Sequence, residues 1–142
     1  MLRINYLLAL KGKNVWSIDP DAAVLDAIRL MAERGIGALP VMRGAELLGI
    51  ISERDYARKV ILKGRSSADT PVRDIMTSPV VTVAIHEAVH DCMEIMTQQR
   101  IRHLPVVDKG QVVGIISIGD LVKAVIEEQQ QTIDQLERYI AS

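Results

Sequence analysis

The phrase GIISERD at residues 49–55 returns as GIISIGD at residues 114–120, and the return is part of a longer register. Displacing the chain by 65 positions lays Val15 on Val80, Ala23-Val24 on Ala88-Val89, Asp26 on Asp91, Met31 on Met96, Ile36 on Ile101 and Leu39-Pro40-Val41 on Leu104-Pro105-Val106. The same displacement matches Gly49 through Ser52, Asp55 and Val60-Ile61, and it needs no gap. Self-similarity at one fixed spacing means two copies of a single supersecondary unit. A unit of about 60 residues is only marginally stable alone, so the copies are expected to share a core.

Each copy reads as strand, helix, strand, strand, helix. VWSI and PVVTV are short β-rich runs. In DPDAAVLDAIRLMAERG, Asp19 is placed to cap a helix and Pro20 to take its first position; Val24, Ile28 and Met31 fall on one face, and Gly35 supplies the stop. ALPVM and ELLGIIS predict two strands joined by a turn at Arg43 to Ala45, and ERDYARKVILKG predicts a second helix ending at Gly64. The expected fold class is α+β (mixed α/β), two tandem β-α-β-β-α repeats. Residues 1–66 would hold the first repeat with an N-terminal segment, and 67–78 a polar linker anchored by Val72, Ile75 and Met76. Residues 79–142 would hold the second repeat and a helical extension whose Ile133, Leu136 and Ile140 form an apolar stripe.

Charge and cysteine usage remove several classes of function. With 17 basic against 18 acidic side chains, the chain lacks the basic excess of a nucleic-acid binder. MLRINYLLAL is too short and too interrupted to span a bilayer, and it is not a signal peptide. Cys92 is the single cysteine, so no internal disulfide forms. The expectation is a soluble protein of a reducing compartment, the cytoplasm.

The repeated Ser-x-x-Asp carries the chemistry. Ser52 and Ser117 each end a strand and open a helix, where unsatisfied backbone N–H groups and the positive helix end point outward. An anion would be stabilised there. Asp55 and Asp120, three residues on, offer two acceptor oxygens that suit a cis-diol such as ribose. Phosphate would then face the helix opening or a guanidinium, with Arg102 and His103 the best-placed donors and Arg54 and Arg58 one turn apart beside the first opening. With no Phe, one Trp and three Tyr in the chain, any ring carried by such a ligand would rest on aliphatic walls such as Ile18, Leu39 and Ile51. A competing reading needs no ligand, because Ser followed three residues later by an acid also writes a capping box. Both can hold at once.

Taken together, GALPV and RHLPVV ahead of GIISERD and GIISIGD resemble a tandem pair of CBS domains, named after cystathionine β-synthase and also called a Bateman module. The resemblance covers residues 12–126. It implies two repeats packed with pseudo-two-fold symmetry and two clefts between them that bind adenine nucleotides, with AMP, ADP, ATP and NAD as the candidates, so that the ring on those aliphatic walls would be adenine. Carried over residue by residue, it places Asp55 and Asp120 on ribose and Ser52 and Ser117 near phosphate or sugar. It also adds Gly37, Ala38, Leu39, Pro40, Thr82, Leu104, Pro105 and Gly119 to the cleft linings. The two clefts are expected to differ, since Glu53-Arg54 in one becomes Ile118-Gly119 in the other and Gly37 matches Arg102.

HEAVH, His86 to His90, satisfies the H-E-x-x-H pattern of zinc hydrolases. The repeat argues against that use: His86 matches Asp21 and His90 matches Leu25, and no third ligand follows. There is no G-x-G-x-x-G, no phosphate-binding G-x-x-x-x-G-K-[ST], and no base paired with a Ser or with Cys92. Arg58, Lys59, Lys63 and Arg65 form a local basic patch, either a solvated helix face or further phosphate contact. The reading is a non-catalytic regulatory module that binds an adenine nucleotide, pairs as a homodimer and serves a protein target outside the sequence's reach, with no metal. A ligand-free dimerising adaptor is the alternative, and a zinc hydrolase through His86, Glu87 and His90 the distant one.

Overall fold

The structure is a computed structural model that describes residues 2–12 and 14–141. Its elements run α1 (Ile4–Lys11), α2 (Val24–Arg34), β1 (Ala38–Arg43), β2 (Glu46–Ser52), α3 (Glu53–Tyr56), β3 (Val83–Ala84), α4 (Val89–Gln99), β4 (His103–Asp108), β5 (Gln111–Ser117) and α5 (Ile118–Ala141). A π-helical turn at Ala57–Ile61 continues α3, and a 3₁₀ turn at Val72–Asp74 lies between the copies.

The mixed α/β repeat is present twice, with the same register in each copy. β1 pairs antiparallel with β2, Ala38 opposite Ser52 and Val41 opposite Gly49. β4 pairs with β5 in the same way, His103 opposite Ser117 and Val106 opposite Gly114. The opening strands are shorter than expected. PVVTV contributes only Val83, the first residue of β3, which runs parallel to β4. VWSI contributes a single bridge from Ile18 to Val41, the position that matches Val83 on Val106.

The start of α2 also differs from the sequence reading. Asp19 does not cap the helix: its carboxylate accepts from the Asp21 amide at 2.8 Å and its carbonyl from Ala22, which closes a turn ahead of the helix. The helix begins at Val24 because the Ala23 backbone is held extended by a bridge to Pro71. At the other end Gly35 supplies the left-handed stop as expected, at φ 63°.

Each copy has its own core instead of one shared between them. Val24, Ala27, Met31, Leu39, Val41, Ile51 and Val60 form the first, closed by Val72 and Ile75 of the intervening segment. Val89, Cys92, Met96, Leu104, Val106, Ile116 and Leu121 form the second, closed by Ile4, Leu7 and Leu8 of α1. The N-terminal segment, grouped with the first repeat in the sequence, therefore packs on the second. The two closures follow one backbone pattern. The Val24 amide donates to Thr70 and the Val72 amide to Ala22; the Val89 amide donates to Leu2 and the Ile4 amide to Glu87. Hence α1 does for the second copy what residues 70–76 do for the first.

That closure explains the glycine of each repeated phrase. A Cβ on Gly49 would lie 2.6 Å from Met76 Sδ and 3.0 Å from the Thr77 carbonyl oxygen; one on Gly114 would lie 2.6 Å from Leu8 Cδ2. Each glycine leaves room for the segment that crosses its strand.

Candidate functional site

The helix openings come directly from the Ser-x-x-Asp phrase. Ser52 ends β2 in an extended conformation, and its Oγ accepts from the Asp55 amide at 3.1 Å. In return the Ser52 amide and hydroxyl each donate to Asp55 Oδ2 at 3.0 Å. Ser117 and Asp120 repeat the exchange, with the Ser117 amide donating to Asp120 Oδ2 at 2.9 Å and the Asp120 amide to Ser117 Oγ at 3.1 Å. The capping geometry is thus formed at both openings. It also uses up amides that the sequence reading left free. Glu53 N–H donates to the Gly37 carbonyl at 3.0 Å and Ile118 N–H to the Arg102 carbonyl at 2.8 Å. An anion at the first opening would be met chiefly by side chains.

Those side chains surround a cleft of about 380 Å³ between the copies, within the range typical of small-molecule sites. The first copy supplies Gly37, Ile50, Ser52 to Asp55, Arg58 and Lys59, the intervening segment supplies Thr77 and Pro79 to Val81, and the second copy supplies Arg100 to His103. Arg54, Arg58, Lys59, Arg100 and Arg102 stand against only two carboxylates, Glu53 and Asp55. Asp55 is itself engaged: Lys59 Nζ lies 3.1 Å from its Oδ1, and the Thr77 hydroxyl donates to that oxygen at 3.3 Å. Arg54 reaches across and donates to the Arg100 carbonyl at 3.4 Å. The cleft is a cationic basin with one acceptor-rich corner.

His103 sits at the join. A Cβ on Gly37 would lie 3.3 Å from its Nε2, so glycine at 37 allows the imidazole to approach. Burial pushes the imidazole pKa below its ordinary value, Lys11 and Arg102 push it the same way, and Asp120 opposes them. The ring is neutral at pH 7 and can both donate and accept.

Of the residues singled out from the sequence, Gly37, Ser52, Arg54, Asp55, Arg58, Arg102 and His103 line this cleft. Others do not. Leu39, Ile51 and Leu104 are fully buried in the cores, as are Ala38, Pro40 and Pro105 with at most slight exposure, so they support the walls without forming them. Strand alternation is the reason: Ile51 points into the core, and its neighbour Ile50 points into the cleft. Ile18 packs against the first core and Thr82 is exposed outside the lining. Glu53, which the sequence marks as a difference between the clefts, and Lys59, which it offers as further phosphate contact, also line it; the sequence reading missed Ile50, Thr77, Pro79, Val80, Val81, Arg100 and Ile101. The alternation could have found Ile50; nothing local marks residues 77–81, which reach the cleft only because the intervening segment folds back on β2.

Ser117, Gly119 and Asp120 belong to the second opening, which is built differently. Lys11, at the end of α1, places its Nζ 2.7 Å from Asp120 Oδ2 and donates to the Ile115 carbonyl at 2.9 Å. Burial would raise the Asp120 carboxyl, but bonds from Lys11 and Ser117 outweigh it and hold the pKa below the ordinary carboxylate value. A diol approaching Asp120 would have to displace an ammonium held at 2.7 Å, closer than the 3.1 Å of Lys59 on Asp55.

The remaining chemistry-bearing residues lie apart from the cleft. His86 and Glu87 occupy the turn before α4, so HEAVH does not present two imidazoles on one helical face. Among the described residues no group of three His, Cys, Asp or Glu could hold a metal ion. Cys92 is buried in the second core, which with the neighbouring Glu87 and Asp91 pushes its thiol up to about 11, so it is not a nucleophile. No helix of the described residues is long and apolar enough to cross a membrane.

Comparison with known proteins adds three findings. The sequence profile of the CBS domain matches residues 10–62 and again 72–127. The CBS domain-containing protein CBSX3, mitochondrial, of Arabidopsis thaliana is 41% identical over 147 aligned positions, covering 96% of this chain and 71% of its own. Among solved structures, a protein with CBS domains from Burkholderia ambifaria MC40-6 superposes with a TM-score of 0.83 at 49% identity, covering 89% of this chain and 93% of its own. The CBS domain pair of protein MJ0100, solved with 5′-methylthioadenosine and S-adenosyl-L-methionine, gives a TM-score of 0.80 at 24% identity over 90% of this chain and 98% of its own.

Proposed function

The chain belongs to the CBS domain family, as a tandem pair of its domains, and from that premise we propose that it is a non-catalytic regulatory module that senses an adenine nucleotide in the cleft between its copies. The observation that carries the reading is the cleft itself: five cationic side chains and the Asp55 carboxylate meet in about 380 Å³ between two aliphatic walls. In this reading the ribose diol takes Asp55 Oδ1 in place of the long Thr77 bond and of Lys59, whose ammonium lies 3.1 Å away and turns to phosphate; Ile50, Val80 and Ile101 face the adenine ring, and the guanidiniums take phosphate. AMP, ADP, ATP and NAD are the candidate ligands. The adenosine-containing ligands of the MJ0100 pair fit the same class, at a likeness that speaks for the fold alone.

The module would work as a homodimer in the cytoplasm. Along α5, Val122, Ile126, Ile133, Leu136 and Ile140 are exposed and recur at alternating steps of four and three around Gln129, the seam of a coiled coil with a second copy. Lys123 and Glu137 flank that seam and would pair across an antiparallel dimer. The nucleotide signal would then reach a protein target through the position of α5.

Thermal melting with and without each nucleotide tests the reading. Ligand at about one hundred times its dissociation constant should stabilise the fold by roughly 2.7 kcal/mol. Asp55→Asn keeps a cap acceptor, so its ligand-free melting should move little while most of the ligand shift disappears. No shift in the wild type with any of the four nucleotides would remove the proposal.

A further inference from the structure

We infer that the cleft prefers a nucleoside di- or triphosphate to a monophosphate, with Arg54, Arg100 and Arg102 holding the outer phosphates; the inference rests on the nucleotide reading above. Two independent observations point to it. The first is where the arginines stand. The 65-position register that matches the two copies sets Gly119 opposite Arg54, Gly35 opposite Arg100 and Gly37 opposite Arg102. Because the cleft is built from both copies, it gathers all three arginines, whereas the matched positions about the second opening carry glycine and supply no guanidinium there. None of the three arginines forms an ion pair with a described residue. They also line a recess of about 280 Å³ that continues the cleft past Thr97 and Ile118. Like charges gathered without partners repel one another, and an anion bearing several charges relieves that repulsion. A single phosphate, with about two charges, would satisfy the inner donors and leave the outer guanidiniums unmatched.

The second observation is the backbone at Arg100. It stops α4 in the left-handed conformation, φ 56° and ψ 43°, which glycine takes freely and a residue with a Cβ does not. Its counterpart in the first copy is Gly35, at φ 63° and ψ 38°. Folding alone is served better by glycine at this turn. What arginine adds over glycine is a cationic side chain on a residue that lines both cleft and recess; the backbone carbonyl that accepts from Arg54 at 3.4 Å is there with either residue.

Arg100→Gly therefore separates ligand from fold, because the variant residue suits the turn. Calorimetric titration of the wild type should give dissociation constants that tighten from AMP to ADP to ATP. In Arg100→Gly the ATP constant should weaken about tenfold or more, the worth of a charge-assisted hydrogen bond, while the AMP constant holds and the melting temperature stays level or rises. ATP binding no tighter than AMP in the wild type overturns the inference and leaves the nucleotide reading intact, as does equal weakening for both ligands or no weakening at all in Arg100→Gly. If none of AMP, ADP, ATP and NAD binds, the nucleotide reading is lost and inorganic tripolyphosphate decides. Binding that Arg100→Gly weakens keeps the polyphosphate site, and no binding removes it.

Discussion

At Ser52 the strand turns into a helix beside a cationic cleft; at Ser117 an equivalent turn is met by Lys11. The two openings share the repeated phrase, the reciprocal cap and the strand register. Besides the arginines matched by glycines, what separates them is the segment that closes each core. Residues 70–76 seal the first copy and run on as Thr77 to Val81 into the cleft wall, with Thr77 on Asp55. The segment α1 seals the second copy and ends in an ammonium on Asp120. A duplicated motif thus gives two openings with different chemistry, because the sequence that covers it was not duplicated with it and because Arg54, Arg100 and Arg102 are matched by glycines.

The comparison can be strained first at the glycines. Gly49→Ala pushes a methyl against Met76 and the fixed Thr77 carbonyl, so it should cost about 1–3 kcal/mol. Gly114→Ala meets the end of the Leu8 side chain, which can swing aside, and should cost less. Urea midpoints of the two variants measure the difference; equal losses would mean that α1 covers its strand as rigidly as the linker does.

Lys11→Ala has a smaller effect on stability and a larger one on the chemistry of the second opening. The pair is about one-third exposed on each side, so its loss should cost under about 1 kcal/mol. The Asp120 pKa should rise toward or above its ordinary value, read from carboxyl chemical shifts. A second equivalent of nucleotide bound by Lys11→Ala, where the wild type takes one, would show that the lysine is what distinguishes the sites.

The smallest effect is in the pH dependence of ligand-free stability. The folded pKa of His103 lies below its ordinary 6.5, so between the two values the unfolded chain holds more protons than the folded one. Stability is therefore full above 6.5 and falls as the pH drops through that window. Asp120, held below its ordinary 3.8, adds stability that is full above that value and lost only as the pH falls through the folded pKa. Melting between pH 7.5 and 5 should show the histidine loss alone, and His103→Gln should flatten it. A slope unchanged in His103→Gln would assign the dependence elsewhere.

By itself, the sequence determined everything that local spacing can carry. The 65-position register specified two copies, Ser-x-x-Asp specified two capped helix openings, Gly35 specified a helix stop, and the arginines near the openings marked a cationic cleft. Such features depend on bonds within a few residues or on one repeat compared with itself. Tertiary structure decided the rest. Only packing could show that Ile4 and Leu7 complete the second core, since an apolar helix near either copy reads the same in one dimension. Only chain reversal brings Thr77 to Asp55 and Lys11 to Asp120, across 22 and 109 positions. And only the pairing of the copies gathers Arg54, Arg100 and Arg102 around one cleft, because a charge has a position along the chain but its field depends on distances through space.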